Sequence, residues 1–192
     1  MIITISGLPG SGKSVVARAL ADRLGFAHVS AGDFMREMAA EREMTILELS
    51  RRAERDDAID REIDARTVRF SEQQDDFVMD ARLAWHFIPS SIKVFLDVSR
   101  AVAASRIFGD DRATEGENVD TAATLRAIDE RVASERLRYQ EYYGVDYLEP
   151  SQFDLVVDTS ERSVAQVVDE IVRHLRTDGK DRRHPSRAPG PL

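Results

Sequence analysis

Residues 7 to 14 read Gly-Leu-Pro-Gly-Ser-Gly-Lys-Ser, a complete Gly-x-x-x-x-Gly-Lys-Ser phosphate-binding pattern. Its chemistry is anion capture: successive backbone N–H groups curl around a phosphate while a helix N-terminus points partial positive charge at it. Gly7, Gly10 and Gly12 supply the backbone freedom, and Leu8, Pro9, Ser11 and Val15 complete the stretch expected to wrap a triphosphate. Lys13 is placed to reach the β- and γ-phosphates as a point charge. Ser14 offers a hydroxyl to a Mg²⁺ that bridges the same oxygens. An ordinary glycine-rich turn would share the glycines, but here the lysine, the serine and the flanking elements agree with them. A bound nucleoside triphosphate, with ATP as phosphoryl donor and Mg²⁺ as its ion, is the expectation.

The loop alone does not separate a kinase from a GTPase or a motor-type ATPase. Asn118 is the only asparagine, which removes an Asn-Lys-x-Asp guanine reader, and no strand ends in Asp-Glu as a hydrolytic ATPase usually does. A small kinase remains, and it needs an acceptor pocket and a cover that excludes water. Ser30-Ala31-Gly32-Asp33-Phe34-Met35-Arg36 follows the second expected strand and offers Ser30, Asp33 and Arg36. Asp80-Ala81-Arg82 ends the third, at the carboxyl edge where ligands of such sheets bind. Asp80 is a candidate to order water around the metal, and Arg36 and Arg82 to clamp an acceptor phosphate with their planar forks.

The expected cover, or lid, spans about residues 108–118, with Gly109 and Gly116 as hinges and Arg112 inside it. Arg106 precedes it, and Arg131, Glu135 and Arg138 follow at i, i+4 and i+7 on one helical line. Such a row is also what a salt-bridged surface looks like. Arg106, Arg112 and Arg131 are the candidates for holding a transferring phosphoryl group, whose charge is spread over its equatorial oxygens.

Short apolar runs position these residues. Strands are expected at Ile2–Ile5, Phe26–Ser30, Phe77–Asp80, Ile92–Leu96 and Phe153–Val157, alternating with helices, which implies a parallel sheet covered on both faces. The first helix runs from about Gly12 to Leu24 and stops at Gly25. Between the second and third strands a helical insertion is expected over about residues 31–74, with Asp33 as N-cap and a Thr45-x-x-Glu48 capping box restarting the chain. Asp120 to Tyr143 puts Leu125, Ile128, Val132, Tyr139 and Tyr143 on one face. In the last helix Val164, Val167, Val168, Ile171, Val172 and Leu175 form an apolar stripe, capped by Ser163 with Gln166. The fold class is therefore α/β: a P-loop NTPase three-layer fold with a five-stranded parallel sheet, a helical insertion and a lid.

The 192 residues, 42 % of them hydrophobic, suit one domain over 1–176, and the Gly/Pro-rich, charged stretch 177–192 reads as a disordered tail. A net charge of −8 argues against a nucleic-acid surface. The absence of cysteine excludes disulfides and thiolate metal sites, and the four histidines show no metal-ligand spacing. No apolar run approaches the ~20 residues that cross a bilayer, and no secretory signal is evident. A cytoplasmic monomer acting on small molecules is expected.

The combination GLPGSGKS, VSAGDFMRE, DARLAW, SERLRYQEYYGVD and FDLVVDTS resembles the nucleoside monophosphate kinases, and most closely the archaeal-type cytidylate kinases, over roughly residues 1–175. The resemblance implies transfer of the ATP γ-phosphoryl group to CMP or dCMP with Mg²⁺. Arg36 and Arg82 would bind the acceptor, Arg106, Arg112 and Arg131 would serve the phosphoryl group, and Asp158 to Ser160 would lie near the ATP base. Where the family commonly shows Glu-Gly-Arg-Leu-Ala-Gly-Trp, this chain has Asp-Ala-Arg-Leu-Ala-Trp, so Trp85 stands one position early, as a core or hinge aromatic or as a substrate contact. Adenylate kinase, a P-loop kinase for a small acid or sugar, and a non-catalytic ATP-binding regulator are the other readings. Against the first, its Asp-Gly-Phe-Pro-Arg segment is absent.

Overall fold

The computed structural model describes residues 1–53, 56–109 and 121–178. In chain order the elements are β1 (Ile2–Gly7), α1 (Lys13–Leu24), β2 (Ala27–Ser30), α2 (Ala31–Glu41), α3 (Ile46–Ala53), α4 (Asp57–Gln73), β3 (Phe77–Asp80), α5 (Ala84–Phe87), β4 (Ile92–Asp97), α6 (Arg100–Gly109), α7 (Thr121–Tyr143), β5 (Leu155–Asp158) and α8 (Val164–Asp178). The five strands lie in the order β2-β3-β1-β4-β5, and every pairing is parallel. Register sets the functional edge: Ser30 lies opposite Asp80, and Asp80 opposite Ile5 two residues before the phosphate loop.

Strand alternation sorts the core into two layers. Ile3, Ile5, Val78, Val94, Leu96 and Val157 face α1 and α8, where they meet Val16, Leu20 and the stripe of α8 from Val167 to Leu175; Val164, expected in the same stripe, is exposed at the first turn. Phe77 and Met79 point the other way, onto Phe34, Ala84, Ile88 and Phe70. The insertion between β2 and β3 forms α2, α3 and α4, which share their own cluster of Met38, Ala39, Leu49 and Ile59. None of the described helices is long and apolar enough to cross a membrane.

Three boundaries shift for identifiable reasons. Gly25 closes α1 in the left-handed region (φ 70°), and Phe26 N–H returns to the Ala21 carbonyl, so β2 starts at Ala27 rather than Phe26. A 3₁₀ turn over Pro150–Gln152 takes the Phe153 N–H, so β5 starts at Leu155. Asp33 is not the N-cap of α2. Ser30 is, and Asp33 sits at the third helical position, where it completes a capping box with Ser30. Thr45 with Glu48 and Ser163 with Gln166 cap as expected. The last helix runs through Asp178, so the tail expected from 177 begins two residues too early; its remainder from 179 lies outside the described residues, as do positions 110–118 of the lid.

Trp85 is a core residue. It is buried in a cluster with Leu83, Tyr139 and Tyr147, stacks edge-on against Phe153 at 5.2 Å, and donates its indole N–H to the Arg82 carbonyl at 2.9 Å. An aromatic in that position can hold the backbone that carries Arg82.

Ile171, fully buried where α8 meets the sheet, reports on this packing. Ile171→Ala should cost about 2–5 kcal/mol by urea unfolding, because the rigid layers collapse only partly into the cavity left behind. A loss under about 1 kcal/mol would show that α8 is not an integral layer.

Candidate active site

The phosphate loop is built as its composition requires. Gly10 has φ 75°, and a Cβ there would lie 2.8 Å from the Ala103 backbone on α6, so no other residue fits without moving that helix. Leu8 N–H bonds the Leu96 carbonyl and Ser11 N–H the Leu8 carbonyl, which fixes the curl against β4. Helix α1 then starts at Lys13; the N–H groups of Val15 and Val16 bond the Gly12 carbonyl, and those of Lys13 and Ser14 precede any carbonyl that the helix could offer them. Ser14 Oγ donates to Asp80 Oδ2 at the end of β3. Two hard oxygen groups therefore meet beside the cradle, a donor set that suits Mg²⁺ held partly by phosphate oxygens.

Lys13 Nζ is starved of solvent. Burial depresses its pKa from 10.5 to about 8, Arg82 pushing the same way and Asp80 and Glu135 opposing. A phosphate anion would reverse that shift.

Behind the loop, Arg106 from α6 ties two walls together. Its Nη1 donates to the Gly10 carbonyl at 3.3 Å and to Thr159 Oγ1 at 3.1 Å, and its Nη2 to the Thr159 carbonyl at 2.7 Å. The Thr159 hydroxyl also lies 3.1 Å from the Ser11 carbonyl. Arg106 and the residues after β5 thus meet at one side of the loop. Ser160 is anchored separately, its N–H donating to Asp158 and its hydroxyl accepting from Ser99 N–H.

In front of the loop a cavity of about 970 Å³ opens between α2, α4, the β3–α5 turn and α7, lined among others by Pro9, Gly32, Arg82, Arg131 and Tyr139. Glu135, only 7 % exposed, organises its charged wall. Oε2 of Glu135 lies 2.7 Å from Arg82 Nε and accepts from the Tyr147 hydroxyl at 3.1 Å, and Oε1 accepts from Arg131 Nε at 3.1 Å. Burial, the largest single influence, works to discharge Arg82, but Glu135 together with Tyr139, Tyr147 and Asp80 outweighs it, and its pKa moves up. The charges of Arg82 and Arg131 both reach Lys13, so the cavity and the phosphate loop share one cationic seam.

Of the residues singled out in the sequence, Lys13, Ser14, Asp80, Arg82 and Arg131 are brought together. Ser30 and Asp33 hold each other in the capping box, and Arg36 donates to Asp33 on the exposed rim of the insertion; none of the three lines the cavity. Val15 is exposed on the first turn of α1. Arg112 lies outside the described residues. The sequence reading did not single out Asp60, Asp64 and Thr67, which line the cavity from one face of α4. Their i, i+4, i+7 spacing was the available signal, indistinguishable in sequence from a solvated helix face.

A family model described as the cytidylate kinase-like family matches residues 2–161. The chain belongs to the cytidylate kinase-like family. Within that family it is 40 % identical over 191 residues to the cytidylate kinase of Natronomonas pharaonis, covering 96 % of each chain. It is 42 % identical over 160 residues to the cytidylate kinase of Methanothermobacter thermautotrophicus, covering 83 % of this chain and 96 % of the other. Among solved structures, shikimate kinase from Bacteroides thetaiotaomicron superposes with a TM-score of 0.67 at 15 % identity, covering 92 % of this chain and 98 % of that one. A gluconokinase from Sinorhizobium meliloti gives 0.56 at 16 %, covering 93 % of each. At such identities these structures share the fold alone with this member of the cytidylate kinase-like family.

Two outcomes follow from the electrostatics. With a pKa near 8, Lys13 is about half neutral at pH 8 in the empty site, and triphosphate binding recharges it. Calorimetry in buffers of different ionisation enthalpy should find uptake of about half a proton per site at pH 8, falling towards none at pH 6.5 and lost in Lys13→Met. The same lowered pKa means that protonated Lys13 opposes folding, a penalty relieved as pH rises from about 8 towards 10.5. Glu135→Ala, in turn, leaves Arg82 inside without its anion and should cost about 3 kcal/mol in denaturant unfolding. A neutral effect would remove Glu135 as the organiser of that wall.

Proposed function

We propose that this protein transfers the γ-phosphoryl group of ATP to CMP or dCMP, giving CDP or dCDP and ADP. The observation that carries the reading is the single cationic seam of Lys13, Arg82 and Arg131, where the phosphate loop opens into the cavity, in a chain of the cytidylate kinase-like family. Donor and acceptor phosphates can then meet at one place.

The loop amides and Lys13 hold the ATP tail, with Gly7 to Val15 as its wrapping, and Arg106 with Thr159 braces the wall on the nucleoside side. Arg82 and Arg131 turn from Glu135 to the acceptor phosphate and the moving phosphoryl group, exchanging one anion for another. Arg36, paired with Asp33 on the rim of a helix that Ser30 caps, is assigned to the acceptor on leaving Asp33, and Arg112 to the phosphoryl group from the lid. The attacking phosphate oxygen already carries most of a negative charge near neutral pH, so no strong base is required. Catalysis is positioning and charge stabilisation in a site closed to water.

Mg²⁺ belongs to this reading through Ser14, by its hydroxyl, and Asp80, through water. Held there, the ion would supply positive charge to the phosphate oxygens. The protein works in this reading as a cytoplasmic monomer on small nucleotides, in pyrimidine nucleotide metabolism, with no nucleic-acid or membrane partner. Residues 1–176 act as one kinase domain, with an acceptor arm at about 31–74 and a lid at about 108–118.

An ADP-release assay over CMP, dCMP, UMP and AMP, with shikimate and gluconate as controls, tests it. Cytidine nucleotides should be turned over selectively, and turnover of a control instead would replace the reading with a small-molecule kinase. Lys13→Ala should lower kcat by about 10²-fold or more, the scale lost with one preorganised donor to the transition state. Near-normal turnover in a folded Lys13→Ala protein contradicts the assignment.

A further inference from the structure

At the end of the cavity away from the phosphate loop, α4 presents Asp60 and Asp64 one turn apart, facing Arg138 and Tyr143 of α7. The Tyr143 hydroxyl donates to Asp64 Oδ2 at 2.5 Å. Asp60 is less well served. Its Oδ2 is buried and accepts no hydrogen bond, and the nearest cation, Arg138 Nε, is 3.5 Å away, buried and without an acceptor of its own. A salt bridge whose purpose was to fasten α4 to α7 would close that gap, because a buried carboxylate left without a donor is costly. Instead an acceptor and a donor stand side by side on one wall. Burial also raises the pKa of both carboxylates, that of Asp64 to about 6, as expected for acids not fully compensated by the protein itself.

Helix α7 acts as a ruler along this cavity. Arg131 stands at the phosphate-loop end and Arg138 seven residues further on, ~10 Å along the axis at 1.5 Å per residue, a span that suits the distance from the phosphate of a nucleoside monophosphate to its base. The intervening space offers apolar surface from Ile63 and Leu83 for a ring.

We infer that Asp60 and Arg138 read the Watson–Crick edge of cytosine, with Asp64 and its partner Tyr143 taking the second amino hydrogen. The inference rests on the phosphoryl-transfer reading above and specifies the acceptor within it. The N4 amine of cytosine donates and its N3 and O2 accept, which complements a carboxylate beside a guanidinium. Uracil in the same pose sets O4 against the carboxylate and N3–H against the guanidinium, so two attractions become two repulsions. A site built around such groups discriminates strongly, because the wrong base leaves buried polar groups unpaired.

The test is kcat/KM for CMP and UMP in the wild type, Asp60→Asn and Asp64→Asn. The CMP-to-UMP ratio should fall by about tenfold to a hundredfold in Asp60→Asn, the cost of mispairing one or two buried polar groups, mainly through a higher KM for CMP. Asp64→Asn should lower it less. The ratio does not depend on the fraction of enzyme folded, since both substrates meet the same active molecules. Should neither variant fold, the wild type answers with the pyrimidin-2-one nucleotide, which keeps N3 and O2 but lacks the amine. Its kcat/KM should lie about tenfold or more below that of CMP. A ratio within twofold of the wild type in both variants, or equal use of CMP and the amine-free nucleotide, overturns the assignment while leaving phosphoryl transfer standing. A wild type that phosphorylates neither CMP nor UMP removes the phosphoryl-transfer reading itself.

Discussion

Cations gathered in one place repel one another, and in this chain the buried carboxylate of Glu135 is what holds Arg82 and Arg131 side by side. Its two oxygens take Arg82 from the sheet edge and Arg131 from its own helix, while Tyr147 donates to it from the α7–β5 connection. Glu135 thereby couples by charge three parts of the chain that also meet in the apolar cluster of Leu83, Trp85, Tyr139 and Tyr147. The burial of Trp85 against Tyr139 and Tyr147 follows from the same demand, because the backbone that delivers Arg82 must stay fixed for the charges to balance.

The sheet and the phosphate loop were readable in the sequence because their rules are local. Gly10 must be glycine where it meets Ala103, Lys13 must follow a left-handed turn at Gly12, and a valine and isoleucine stripe at helical spacing can only cover a sheet. The fold expected from these features, five parallel strands layered with helices, is the fold observed. Strand starts moved where backbone hydrogen bonds outside the strand pattern intervened, at Phe26 and Phe153, while β1, β4 and β5 run on past their expected ends to Gly7, Asp97 and Asp158 because the parallel ladder continues there. The family was legible too, because whole motifs recur in order along the chain.

The charged wall was less legible, and the reason is geometric. Arg131, Glu135 and Arg138 have the spacing of a surface salt-bridge row, and only the fold turns that row inward, where Glu135 acquires Arg82 from 53 residues earlier. Asp60 and Asp64 were lost in an acidic, Arg-rich helix for the same reason. Arg106 shows the converse: sequence placed it before the lid, whereas its guanidinium reaches back to Gly10 and Thr159, since three carbonyl and hydroxyl oxygens lie within its fork. A helix face carries no label for what it will meet.

The polarity of the cavity gives direction to a substrate. At one end lie Lys13, Arg82 and Arg131, three cations gathered around Glu135 and Asp80; at the other lie Asp60 and Asp64, carboxylates whose pKa burial raises, with Arg138 Nε unmatched beside Asp60. Each end is strained by the charge it contains, and each strain is relieved by the opposite kind of group. A molecule with an anion at one terminus and an amine on a flat ring at the other relieves both at once, and only in one orientation. In the proposed reading that orientation puts its phosphate beside the loop assigned to the donor, so recognition at the far end of α7 and alignment of the reacting oxygens at the near end would be two consequences of a single field.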